Sequence, residues 1–224
     1  MLLRIASHPS TQRLIVNRPG HHLVNIIQRR ILHRIPDYKK LPNLPKHTVL
    51  KDGTNVLVDS ATEKQIGDIY TQFHGAMHRG QGYGHDDFLS LDHFKEKHSR
   101  GQIFSLVDQD ADRLIGGITI YPSRLSRASN PVLAGSNFIV TQEYRGRGCI
   151  KLLNRLYSEL ADEIGYEGCL GEIHVNNAPV IKACRDNPIW ELIERLPKTS
   201  YVKDYGWIDS VIVYCDLTNK SNTH

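Results

Sequence analysis

The sequence predicts an α/β domain built on a mixed sheet with helices on both faces. Three observations predict it. Strand-like runs alternate with helical ones in an order that requires crossover helices. The apolar run Asn137-Phe138-Ile139-Val140 feeds the glycine turn Tyr144-Arg145-Gly146-Arg147-Gly148 and then a helix. Along that helix Ile150, Leu153, Leu156, Leu160 and Ile164 recur at helical spacing, and Gly165 supplies the stop. A chain of 224 residues is long enough for one such domain with a sizeable core.

In chain order, residues 1–36 form an arginine-rich leader without a single acid. Leu23, Ile26, Ile27, Ile31 and Ile35 share a helical stripe beside Arg30 and Arg34, which fits a mitochondrial transit peptide except that serine is sparse. A proline-rich connector, 37–47, precedes a domain over 48–218 and a polar tail over 219–224. Thr48 to Val58 reads as a hairpin-like entry into the first strand around Asp52-Gly53. Ala61 to His78 is predicted helical, with Ile66, Ile69, Tyr70, Phe73 and Met77 on one face. The loop Arg79-Gly80-Gln81-Gly82-Tyr83-Gly84 leads to a second helix over about Asp86 to Lys97. Strands are expected at Gln102–Val107 and Leu114–Tyr121, and a polar loop, Pro122 to Asn130, leads into the strand before the glycine turn. A short strand over Gly168–Val175, a short helix opening at Asn176-Asn177-Ala178-Pro179 and a final strand over Ile208–Tyr214 complete the domain.

Charge excludes some functions. Six of the 28 Lys and Arg residues lie in the leader, so residues 37–224 carry 22 basic against 24 acidic side chains. A nearly neutral domain offers no duplex-binding surface, and no nucleic-acid partner is expected. No run of 18 apolar residues is present, so no membrane span is expected. The four cysteines lack framework spacing and are read as reduced thiols in an intracellular protein, mitochondrial if the leader is a transit peptide and cytoplasmic otherwise.

The strand–glycine–helix junction builds an anion site. Glycines let the backbone approach a phosphate, and the amides of the helix's first turn point at it with the dipole behind them. A Walker loop is absent, and the third glycine of a Rossmann fingerprint is missing. The segment resembles motif A of the GNAT superfamily of N-acetyltransferases, Arg/Gln-x-x-Gly-x-Gly/Ala, with Arg145, Gly146, Arg147 and Gly148 in place. The likeness extends over the element order from about residue 48 to the end. It implies the GNAT fold, a mixed central sheet of about seven strands, and acetyl-CoA as cosubstrate. By that likeness Arg145, Gly146, Arg147, Gly148 and Cys149 bind the pyrophosphate. Phe138, Ile139 and Val140 offer backbone groups to the pantetheine arm, and Asn177 caps its helix or bonds the pantetheine amides. Ile150 stands where the family usually has a small residue.

Alternation puts Leu170, Glu172, His174 and Asn176 on one face of the late strand. Consecutive polar side chains on an interior strand are costly unless they meet water or a ligand. Glu172 is the first candidate for proton acceptor and His174 the second. The family often places a tyrosine acid where this chain has Cys184, and Tyr201 and Tyr205 are the substitutes. The first helices and their loop border the acceptor in this fold, which nominates His78, Tyr83 and His85 for substrate contact. His74 and His78 have ligand spacing but no third ligand, so no metal is expected. The closing segment from Glu194 also resembles a fungal subgroup that acetylates toxic proline analogues such as azetidine-2-carboxylate. The acceptor expected is therefore a small amine or amino acid, in a direct ternary complex, with a homodimer as the oligomer to test. The alternatives are a protein or peptide N-acetyltransferase, and a non-catalytic acyl-CoA-binding regulatory module.

Overall fold

A computed structural model of the chain describes residues 36–37, 40–84, 86–126 and 132–218. The leader up to residue 35, His85 and the tail from residue 219 lie outside the described residues. The strands are β1 (Lys46–Val49), β2 (Asn55–Ser60), β3 (Gln102–Asp108), β4 (Arg113–Pro122), β5 (Leu133–Val140), β6 (Gly168–His174), β7 (Trp190–Val202) and β8 (Gly206–Asp216). The helices are α1 (Glu63–His78), α2 (Leu91–Lys97), α3 (Cys149–Ile164) and α4 (Ala178–Arg185), with a 3-10 turn at Gln142–Tyr144.

All eight strands form one sheet in the order β1-β2-β3-β4-β5-β6-β8-β7. Every neighbouring pair is antiparallel except β5 and β6. The mixed sheet of about seven strands is met by eight among the described residues, and the hairpin at Asp52-Gly53 supplies two paired strands, with Val49 opposite Asn55. The structure also adds β7, over which the sequence carries no strand signal. It is an edge strand carrying Glu191, Glu194, Arg195, Pro197 and Lys198, with two register shifts against β8. Charge, proline and bulges are how edges are blunted, and they erase the alternation that announces a strand. The second helix begins at Leu91 rather than near Asp86, because the Ser90 side chain accepts from His93 N–H and caps it there.

Helices cover both faces. On one face α1, α2 and the segment between them bury Ile69, Phe73, Met77, Phe88 and Phe94 against Ile139 of β5. On the other, Leu153, Leu156, Tyr157 and Leu160 of α3 pack on Phe104, Leu106, Ile118, Cys169 and Val213. The helix starts are fixed locally. Thr62 and Gln65 form a reciprocal capping box on α1. Gly148, in the left-handed region at φ 87°, starts α3.

Candidate active site

The parallel pair β5–β6 is short. Leu133 pairs with Gly168 and Ala134 with Cys169, and beyond that the two strands share no register. At the point of separation the Tyr157 hydroxyl donates to the Ala134 carbonyl at 2.6 Å and lies 3.1 Å from that of Leu170. It thereby stands in for ladder bonds that the strands no longer exchange. The opening lies at the carboxyl ends of both strands, where α3 and α4 begin, the usual place for a ligand in an open α/β sheet. A cavity of about 880 Å³ occupies it.

One wall is the free edge of β5. Phe138 gives its N–H to the Tyr83 hydroxyl at 3.1 Å and accepts that hydroxyl's proton at its carbonyl, 2.6 Å away. Its backbone therefore points away from β4, and alternation places the same groups of Ser136 and Val140 on the open edge. This corrects one expectation. Ile139 sits opposite Gly117 in the β4 ladder, so its N–H and carbonyl face β4, and its side chain is buried under α1. The open edge is Ser136, Phe138 and Val140.

The glycine turn forms the end of the cavity. Gly146 and Gly148 both adopt positive φ, 79° and 87°, which bends the chain from the 3-10 turn into α3. The Cys149 and Ile150 amides at the start of α3 open onto the cavity, which Arg145, Gly146, Gly148, Cys149 and Ile150 line, whereas the Lys151 N–H turns back to the Gly148 carbonyl at 3.0 Å. The two arginines part company. Arg145 donates to the Val140 carbonyl at 3.4 Å and to Gln81 Oε1 at 3.0 Å. Arg147 instead lies over the Tyr144 ring, 4.8 Å from its centroid, and pairs with Asp52 at 3.6 Å. It lines a separate recess between α3 and the β1–β2 turn, not the main cavity. The left-handed Gly146 between them sends consecutive side chains to opposite sides.

Glu172 is exposed and lines the cavity from the β6 side. His174 does not line it. It is buried at 6% exposure, with Nε2 2.7 Å from Ser200 Oγ and Nδ1 without a partner. Burial holds its imidazole below the usual histidine range, against the pull of Asp87 and Glu172. Asn177 sits at the α4 start without capping it, and its Nδ2 lies beside Gly82. Cys184 lines the cavity, and its thiol accepts from Asn154 Nδ2 at 3.7 Å. Burial pushes that thiol up to about 11.

Two nominated side chains, Tyr201 and His78, sit elsewhere. Tyr201 lies on β7, 52% exposed, edge-on to Trp207 on the hairpin's outer side. Tyr205 at the hairpin turn does line the cavity. His78 is exposed on α1 with its Nε2 3.1 Å from that of His74, and it does not line the cavity. His85 is outside the described residues. Among the described residues no group of three or more His, Cys, Asp or Glu side chains could hold a metal, and no helix is long and apolar enough to cross a membrane. The sequence reading missed Gln81, Tyr157 and Trp190. Trp190 stacks on Tyr157 at 5.5 Å and carries a buried indole N–H without a partner at the cavity wall. A polar handle on an otherwise apolar ring is the signal for Tyr157 and Trp190, whereas Gln81 is marked only by its place in the glycine loop.

No protein-family model matches the sequence, and no curated protein matches it. Solved structures do. A GNAT superfamily phosphinothricin acetyltransferase from Sinorhizobium meliloti, solved with AcCoA, superposes with a TM-score of 0.65 at 17% identity, covering 75% of this chain and 92% of that one. The chain has the GNAT fold. A GCN5-related N-acetyltransferase from Kribbella flavida matches at TM-score 0.62 and 18% identity, over 72% of this chain and 97% of its own. Spermidine N-acetyltransferase from Vibrio cholerae, solved with CoA and spermine, matches at TM-score 0.60 and 12% identity, over 73% and 96%. The GNAT fold therefore accounts for about three-quarters of this chain and nearly all of each neighbour.

Proposed function

We propose that the protein transfers an acetyl group from acetyl-CoA to the nitrogen of a small amine or amino acid, directly within a ternary complex. The observation that carries this reading is the open β5 edge running into the glycine-lined start of α3. One end offers alternating N–H and C=O groups that suit an amide-bearing arm. The other offers convergent amides and Arg145 for a pyrophosphate. Solved neighbours of this fold hold AcCoA or CoA, which supports the same cosubstrate here.

In this reading Glu172, at the cavity wall and open to water, takes the proton from the acceptor ammonium. The freed amine attacks the thioester carbonyl, whose oxyanion is met by an N–H of the β5 edge. The C–S bond breaks, the thiolate leaves, and the nitrogen gives up its second proton to water, leaving a neutral amide. Cys184 is a poor source of the thiolate's proton, since a thiol at about 11 holds its proton more tightly than an ordinary thiol at 9.0. Tyr205, the late tyrosine that lines the cavity, takes that role.

Calorimetric titration of acetyl-CoA into the full chain tests the reading. Micromolar binding is expected, and Gly148→Glu should abolish it, because a carboxylate would stand where phosphate belongs. Release of CoA should then follow addition of small amines or amino acids rather than peptides. Absence of binding by the unmodified chain would overturn the assignment.

A further inference from the structure

The loop Arg79–Gly84 crosses the mouth of the cavity and engages it at two points. At one, the Tyr83 hydroxyl takes both hydrogen-bonding groups of Phe138, accepting from its N–H at 3.1 Å and donating to its carbonyl at 2.6 Å. At the other, Gln81 Oε1 accepts from Arg145 Nη1 at 3.0 Å and from Arg79 Nε at 3.1 Å. Phe138 lies along the track of an amide-bearing arm, and Arg145 stands at its phosphate end. The loop thus holds the two groups that an acyl-CoA would need, with its own side chains.

Its backbone is shaped for the position. Gly80 has φ 61°, and a Cβ there would fall 2.7 Å from Val202 Cγ1 and 3.0 Å from the Tyr205 ring. Gly82 has φ 81°, and a Cβ there would fall 2.8 Å from Asn177 Nδ2. The strand-end hairpin presses on one side of the loop and Asn177 on the other. The Tyr83 ring rests edge-on against Phe73, 5.0 Å between centroids, so the hydroxyl is aimed at β5 by packing on α1.

We propose that this loop is a latch: Tyr83 and Gln81 close the acyl-thioester site, and acetyl-CoA binds by displacing them. The proposal rests on the reading that the cavity takes acetyl-CoA. Displacement exchanges hydrogen bonds rather than losing them, so the latch lowers apparent affinity by the fraction of molecules that are open, without abolishing binding. It also keeps the Phe138 amide and carbonyl paired while the site is unliganded.

Tyr83→Phe tests it, because the ring stays against Phe73 and only the hydroxyl goes. The variant should bind acetyl-CoA about fivefold tighter by calorimetry, and its unliganded Phe138 amide should exchange hydrogen faster. Gln81→Ala should tighten binding about twofold, and the pair about tenfold. Equal or weaker binding by Tyr83→Phe would overturn the latch, since the hydroxyl would then belong to the ligand's site. Failure of the unmodified chain and all variants to bind would remove the acetyl-CoA reading and the latch with it. The two failures differ in whether any binding is seen.

Discussion

Two glycine turns bound the cavity, and they share a backbone conformation while presenting different chemistry. Gly146 and Gly148 precede α3 with φ of 79° and 87°, and Gly80 and Gly82 follow α1 with φ of 61° and 81°. A turn that starts a helix exposes amide donors and the positive end of the dipole, which suits an anion. A turn that follows a helix has no such amides to offer, so it acts through its side chains, Gln81 and Tyr83. The crowding differs as well. A Cβ at Gly146 would meet nothing within 4 Å, whereas one at Gly80 would strike Val202. The first turn needs glycine for conformation alone, and the second needs it for conformation and space.

The largest test bears on chemistry beside these turns. Glu172→Gln should lower turnover by about 10²–10³-fold with acetyl-CoA binding intact, measured as steady-state CoA release beside calorimetry. Normal activity across pH would remove Glu172 from the proton transfer.

The next test concerns the α2 side of β5. Buried His98 gives its Nδ1 proton to the Phe94 carbonyl at 2.7 Å, and its Nε2 accepts from Asn137 Nδ2 at 3.1 Å. Burial pushes its imidazole down to about 4 from 6.5. Above pH 6.5 both folded and unfolded chains hold it neutral. Between 6.5 and about 4 the unfolded chain takes up a proton that the folded one refuses, so stability falls as pH falls through that window. The loss from this group is roughly 3 kcal/mol. In denaturant titrations at several pH values, His98→Gln should lose less over that window than the unmodified chain.

The smallest effects compare the turns themselves. Gly80→Ala should cost about 2–3 kcal/mol of unfolding free energy, from strain plus overlap. Gly146→Ala should cost about 1 kcal/mol, from strain alone. Equal costs in chemical denaturation would erase the distinction between a turn shaped for conformation and one also wedged in place.

Much of the fold is legible in the sequence because its elements are locally specified. The stripe of α3, the capping box of α1 and the strand before the glycine turn each follow from spacing or side-chain chemistry within a few residues. The candidate site was partly legible for the same reason, since Arg145, Gly146, Gly148 and Cys149, which line the cavity, fall within five consecutive residues. β7 was not, because among the described residues it pairs with β8 alone and its charged, bulged edge carries no period of two. Tyr201 followed β7 to the outer side of the hairpin, where Trp207 covers part of its ring.

By itself the sequence determined the order of the elements other than β7 and the backbone character of the glycine turn, because both depend on neighbours in the chain. The tertiary structure decided which of Phe138 and Ile139 presents its backbone groups on the open edge, since that depends on register with β4. It also sent Arg147 to Asp52 and left Arg145 at the site. And it brought Tyr83 onto Phe138 across 55 residues of chain. Contacts at such separation are fixed by packing of whole elements, which no local spacing encodes.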